Sequence, residues 1–336
     1  MLFSEFQAPF AAPEAMHIPD GFLSAPVAIA MWIITGVFVV LAVRRASREF
    51  DERMVPLMGV LAAFIFAAQA FNFPVAGGTS GHFLGGALAA ILLGPWAGLL
   101  IMTAVIGLQA LVFQDGGLLA MGANIFTMGI VTVWVGYFVY QGLTRFNRYV
   151  AAFLAGWLSV FMASVVASFL LALSGTASLG VVLAAMATVH AFIGVGEGLI
   201  TAGAVALVAA ALPEMFGRQV SGRRTDRGTF IAGGVILALV VGVMAVFFAS
   251  PSPDGLERVA EDKGFLSAAQ GPLYQLAPDY VAPGVSNETL AAVLAVVLGT
   301  LLLFAVGYGI ARALQRRSRR LAEAPVVSTE SPQQAR

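Results

Sequence analysis

Apolar runs of about twenty residues recur from Ala25 to the arginine-rich tail, and they constrain this chain more than any other feature. A helix needs about 20 mostly apolar residues to cross a bilayer, because its backbone groups find no partner in lipid except within the segment. With 59% of residues hydrophobic and 11% charged, soluble domains are excluded, and the fold class is an all-α polytopic membrane protein. The runs fall at residues 25–43, 55–74, 83–93, 96–113, 119–140, 150–173, 180–211, 229–249 and 289–311, which predicts nine crossings.

Arginines gather at Arg44, Arg45, Arg48 and Arg53, at Arg145 and Arg148, at Arg218, Arg223, Arg224 and Arg227, and from Arg312 to Arg320. Such clusters mark cytoplasmic loops. Residues 1–43 have no Lys or Arg, and residues 250–288 have two basic residues against six acidic ones, so both belong outside. The N-terminus is then out and the C-terminus in. Parity requires Gly94-Pro95-Trp96 to break the run from 83 to 113 into two, as a proline in a helix interior would. The loop Gly77-Gly78-Thr79-Ser80-Gly81 is too polar for lipid contact. It is expected to fold inward among the helices and carry His82 with it, the alternative being a surface hairpin turn.

The chain divides into an extension at 1–15, a transmembrane domain at 16–215, a charged linker at 216–228, a second, accessory unit at 229–313 and a basic tail at 314–336. In the accessory unit, residues 250–288 hold a turn and a short amphipathic stretch around Pro253-Asp254-Gly255-Leu256-Glu257, without an obvious catalytic set.

Cysteine is absent, so any metal site uses nitrogen or oxygen donors. The histidines are His17, His82 and His190, and the topology puts the first two on the same outer side. If the chain begins at Met16, its α-amine, the His17 amide nitrogen and the His17 imidazole close a five- and a six-membered chelate ring on one ion. His82 then fills the open position of a four-nitrogen site suited to Ni(II) or Cu(II). The preceding MLFSEFQAPFAAPEA lacks a basic n-region, which makes it a poor signal peptide and a mis-assigned start the simpler reading. Alternatively Met16 to Ser24 is a helix entrance, with a Pro19-Asp20-Gly21 turn and Ser24 as N-cap. Both readings can hold together.

His190 and Glu197 lie seven apart on one helix face, as a functional pair or as ordinary hydrogen-bonding groups between helices. Asn124, Gln114 and Asp115 sit behind the site at most, and Met102, Met121 and Met128 read as packing. The only lysine is Lys263, so no Walker A phosphate loop can be drawn. HExxH is absent and no nucleophile and base pair stands out, so an enzyme ranks last.

The stretches MHIPDGFLS, GTSGHFLGGALAAILLGPWAGLL, FQDGG with GANIFTMG, and HAFIGVGEGLIT occur in that order over about 16–215. Together they resemble the CbiM/NikM family of substrate-capture subunits of energy-coupling factor transporters for Co(II) and Ni(II). FASPSPDGLERVAEDKGF resembles the PDGLE, or NikN-like, accessory component, here fused, which leans towards nickel. The resemblance implies a metal site of Met16, His17 and His82; the residues' own positions add His190, Glu197 and Asn124 as groups behind that site or pairing helices. The resemblance also implies a bacterial inner-membrane location and two partners, a coupling component of CbiQ/NikQ type and an ATPase of CbiO/NikO type. Membrane lipid surrounds such a subunit, and nucleic acid is not a partner. The rival expectation is a self-sufficient ion-coupled carrier using His190 and Glu197 as a proton relay.

Overall fold

In a computed structural model of the protein, residues 17–48, 50–51, 54–216 and 227–323 are described. The expected extension at 1–15, Met16, nearly all of the linker and the end of the tail lie outside them. The fold is almost wholly helical: α1 (Ala25–Arg48), α2 (Met54–Gln69), α3 (Gly86–Phe113), α4 (Met121–Leu143), α5 (Arg148–Leu173), α6 (Leu179–Ala211), α7 (Arg227–Phe248), the short α8 (Gly255–Lys263) and α9 (Glu288–Glu323). A two-stranded antiparallel hairpin, β1 (Phe73–Val75) and β2 (Thr79–Gly81), joins α2 to α3.

Among the described residues, seven helices are long and apolar enough to cross a membrane: α1, α3, α4, α5, α6, α7 and α9. The protein is a multi-pass membrane protein. Of the nine segments read from sequence, the two others are shorter. The helix α2 has 16 residues. The segment at 83–93 forms the first arm of α3, which reverses at Gly94, where φ is 77° and ψ 167°. A Cβ on Gly98 would lie 3.1 Å from the backbone of Ala89 and Ala90. Nine residues of straight helix would separate those groups by about 13 Å, so the chain doubles back as a tight helical hairpin. Gly94 alone supplies the left-handed conformation that this turn needs.

The helices of the accessory unit are not a separate body. A Cβ on Gly299 would meet the rings of Phe66 and Phe113, one on Gly307 would meet the Met58 carbonyl, and one on Gly234 would meet Val60. Small residues let α7 and α9 lie directly against α2, as is usual where helices pack in lipid. The segments at 17–24, 70–85, 114–120 and 250–287 are hydrogen-bonded to one another, and His17 and His82 stand among them.

Candidate metal centre

The chain enters this cluster of segments through a short tight stretch. Pro19-Asp20-Gly21 turns with φ 90° at Gly21, and α1 starts just after Ser24, as the sequence predicted. The Asp20 carboxylate accepts N–H bonds from Leu118, Leu119 and Ala120 at 3.1, 2.9 and 3.0 Å, holding the start of α4. Gly117 has to be bare here, since a Cβ would stand 2.0 Å from Asp20 Oδ1. Asn124 grips the segment again, accepting the Ile18 N–H and donating to the Ile18 carbonyl, both at 3.0 Å. Two motifs a hundred residues apart are thus one structural object, and it fixes where His17 points.

His17 is buried, 2% exposed. Its Nδ1 lies 3.0 Å from Asp115 Oδ1 and 3.2 Å from the Asp115 carbonyl oxygen, both acceptors. The proton is therefore on Nδ1, and Nε2 keeps its lone pair. That Nε2 is buried without a hydrogen-bond partner. A chelate ring closed with the residue's own amide nitrogen uses Nδ1, the atom that here faces Asp115.

His82 follows the buried strand β2, whereas the tip of its hairpin, Gly77-Gly78, is exposed. The two readings of this loop are both met: the tip is a surface turn, and the returning strand runs inward. Gln69 donates to the Leu84 carbonyl at 2.7 Å, and Glu197 accepts the N–H groups of Leu84 and Gly85 at 2.6 and 2.9 Å. These three bonds set the backbone next to His82 and satisfy donors at the opening of α3. The His82 Nδ1 lies 3.2 Å from the Phe83 carbonyl, which again leaves Nε2 as the lone-pair nitrogen. The two imidazoles face each other edge to face, with centroids 5.7 Å apart.

His190 lines the same cavity, a space of about 70 Å³ shared with His17, His82, Asn124, Met128 and Asp254. That is room for an ion with part of its water, and far below the size of an organic-ligand pocket. The expected pairing of His190 with Glu197 gives way to different partners. His190 Nδ1 bonds the Met186 carbonyl at 2.8 Å, and Glu197 caps α3.

Sequence reasoning underrated one group and missed two. Asp115, read as sitting behind the site at most, pairs directly with His17. Asp254 and Tyr280 come from the accessory segment, which showed no catalytic set. The N–H and hydroxyl of Ser80 donate to the Pro253 and Ser252 carbonyls, both at 2.8 Å, so the segment is tied to β2. Asp254 Oδ2 then stands 4.0 Å from His82 Nε2. The Tyr280 hydroxyl donates to Asp115 Oδ2 at 2.7 Å and accepts from Gln109 Nε2 at 3.0 Å. Its ring lies flat on Phe113, centroids 4.7 Å apart. The stretch around Asp254 and Glu257 reads as a turn and a short amphipathic segment; in the structure the pair forms a capping box at the start of α8. Nothing in the sequence pointed to Tyr280.

Burial pushes the His17 imidazole down, but the charge and hydrogen bonds of Asp115 outweigh it and leave its pKa above the usual 6.5. Burial likewise pushes Asp115 up, and its pairing with His17 wins, leaving it below 3.8. Asp254 is pushed up to about 7, chiefly by burial. Burial and the neighbouring Asp115 raise the Tyr280 phenol well above its ordinary value, so it stays a donor.

Among the described residues, no group of three or more His, Asp or Glu side chains is gathered closely enough to hold a metal. The imidazoles of His17 and His82 line one cavity with centroids 5.7 Å apart, and a complete donor set needs further groups from the cavity wall, from the backbone, from residues ahead of His17 or from movement.

Comparison with known proteins agrees with this architecture. Residues 17–215 match the family described as CbiM, cobalt uptake substrate-specific transmembrane region, and residues 228–316 match the PDGLE domain. A protein of Archaeoglobus fulgidus named for fused nickel transport (NikMN) is 38% identical, over 88% of this chain and 98% of its own. The fused nickel transport protein NikMN of Rhodobacter capsulatus is 30% identical, over 91% of this chain and 99% of its own. The crystal structure of a transition metal transporter, 30% identical, superposes with a TM-score of 0.55 over 61% of this chain and 100% of that one.

Proposed function

The chain belongs to the CbiM family of cobalt-uptake substrate-specific transmembrane regions, with a PDGLE domain behind it, and we propose that it captures Ni(II) or Co(II) as the substrate-specific subunit of an ATP-driven energy-coupling factor transporter. The observation that carries this reading is the buried His17 and His82 pair, with a lone-pair nitrogen of His17 left without a partner. Imidazole donors suit first-row transition ions, whereas Mg(II) and Ca(II) take oxygen. Nickel is the preferred cargo because the relatives that share both parts of this chain are named for nickel transport.

The arginine-bearing ends of the helices face the cytoplasm, and the histidine end faces outward, where the ion arrives. The chain has no phosphate loop, so a separate ATPase and a membrane coupling protein supply the energy. In a chain that starts at Met16, the amine, the His17 amide nitrogen, His17 Nδ1 and His82 form a four-nitrogen site, and Nδ1 must leave Asp115 to join it. In a longer chain, His17 donates through Nε2.

Native mass measurement of the protein extracted from its own membrane tests both levels. One Ni or Co on a chain that begins at Met16 supports capture through the amine. One ion on a chain that begins at Met1 removes the amine from the donor set. Absence of either ion, together with failure of the purified protein to bind added Ni(II) or Co(II), defeats the reading.

A further inference from the structure

Of the five residues Pro253-Asp254-Gly255-Leu256-Glu257, the middle three line the histidine cavity and the outer two hold them in place. The Pro253 carbonyl accepts the Ser80 N–H, two residues before His82. Asp254 is 5% exposed and faces His82. Gly255 lies so close to α6 that a Cβ would stand 2.9 Å from His190 Cε1 and 2.8 Å from Ile193. Leu256 is buried in the cluster that also holds Ile18 and Phe22. Glu257 donates its N–H to Asp254 Oδ1 at 2.7 Å, which leaves Oδ2 directed at the imidazole. A helix cap needs neither a buried aspartate nor a bare first turn. These five residues fit a carboxylate being delivered to a fixed place.

The distance says what that place is for. A charge-assisted hydrogen bond between Asp254 and His82 would be about 2.7–2.9 Å long, and the pair is wider, at 4.0 Å. First-row divalent ions hold nitrogen and oxygen donors at about 2.0–2.2 Å, so two donors facing each other across one ion stand about 4.2 Å apart. The gap has the width of one metal ion, and the partnerless Nε2 of His17 opens on the same cavity.

We propose that Asp254 is a ligand of the arriving cation: it and His82 take the partly hydrated ion first, and Asp254 then gives way to the nitrogen donors of the His17 segment. The step is a ligand exchange, in which an oxygen–metal bond is replaced by nitrogen–metal bonds and the carboxylate is released unchanged. The proposal rests on the metal-capture reading, and makes the PDGLE segment the entry half of the site.

The test is Ni(II) loading of the full chain in lipid nanodiscs, followed in time at about 0.05 M and about 1 M ionic strength, since salt screens steering and leaves a bond intact. Asp254→Asn and Asp254→Ser both keep a side chain able to cap α8. Each should slow loading about tenfold or more at both ionic strengths, and still reach the wild-type stoichiometry. His17→Ala should retain weak Ni(II) binding through His82 and Asp254, and adding Asp254→Asn should remove it. Unchanged loading rates overturn the proposal, as does slowing that disappears at high salt, or weak binding by His17→Ala that survives the second change. If the wild type itself binds neither Ni(II) nor Co(II), the capture reading falls and this assignment falls with it.

Discussion

His17 Nδ1 lies 3.0 Å from Asp115 Oδ1, and this contact fixes which nitrogen of the imidazole faces the cavity. A carboxylate behind a metal-binding imidazole sets its tautomer and raises its basicity, and loss of such a partner costs about 10–100-fold in metal affinity. His17→Ala and His82→Ala should each abolish tight Ni(II) binding in calorimetric titration with the helical content unchanged. Where His17 donates through Nε2, Asp115→Asn should bind with an affinity lower by about that factor; where Nδ1 itself takes the ion, the change frees that nitrogen and should not weaken binding. Tight stoichiometric binding by either histidine variant would remove that residue from the site.

The same pair sets a pH dependence. Because the His17 pKa is raised above 6.5, its stabilisation of the metal-free fold is fully present below 6.5 and is lost as pH rises through the folded value. Because Asp115 is lowered below 3.8, its share is present above 3.8 and is lost as pH falls through its folded value. The pair therefore stabilises the metal-free protein most between 3.8 and 6.5. A second proton on His17 goes to Nε2 and competes with the ion, so acid should release Ni(II). In metal-free Asp115→Asn, burial is opposed only by the charge of Asp254 and the main-chain hydrogen bond at position 115, so the His17 pKa should move down. NMR titrations of the His17 imidazole in both metal-free proteins check the sign, and an upward shift would contradict it.

Glu197 works at one remove from the ion. Its two oxygens accept the N–H groups of Leu84 and Gly85, two and three residues beyond His82. Glu197→Gln keeps one acceptor and turns a donor towards one of those N–H groups, and Glu197→Ala leaves both without their carboxylate. Ni(II) affinity should fall in the order wild type, Glu197→Gln, Glu197→Ala, with the Gln variant losing less than His17→Ala loses. Hydrogen exchange at residues 83–86 should rise in the same order. Equal damage from Glu197→Gln and His17→Ala would make Glu197 part of the ion's own shell.

Much of this was legible in the sequence because lipid leaves so few solutions. The apolar runs fixed most helix starts to within a few residues, although α9 runs on past 311 to Glu323 and α2 ends at Gln69 instead of 74, and Gly94-Pro95 announced the reversal in α3, since that dipeptide suits a turn and not a helix interior. Histidine is rare enough here that the His17 and His82 pair could be named before its geometry was known. Asp254 and Tyr280 were not legible because their significance is tertiary. A D-x-x-E pair reads identically whether its aspartate faces water or an imidazole. Tyr280 lies 165 positions from the carboxylate it holds, within a segment of irregular backbone that has no period to read. Asp115 was undervalued for a related reason: loop position alone does not say which of several polar groups turns inward.

Tyr280 offers the cleanest separation of the accessory segment's roles. Its hydroxyl donates to Asp115 Oδ2, and its ring packs on Phe113 and Phe66. Tyr280→Phe keeps the stacking and removes only the hydroxyl. A hydrogen bond to a charged group contributes about 1.5–3 kcal/mol, and its loss here leaves a buried carboxylate oxygen and Gln109 Nε2 each short of a partner. The variant should melt at a lower temperature when metal-free. With one oxygen released, Asp115 is less firmly oriented towards His17, so Ni(II) affinity should drop by less than in Asp115→Asn. Tyr280→Ala loses the ring as well and should destabilise further, with little additional loss of affinity. If Tyr280→Phe melts and binds like the wild type, the chain from Gln109 through Tyr280 and Asp115 to His17 does not set the imidazole, and the accessory segment acts on the ion through Asp254 alone.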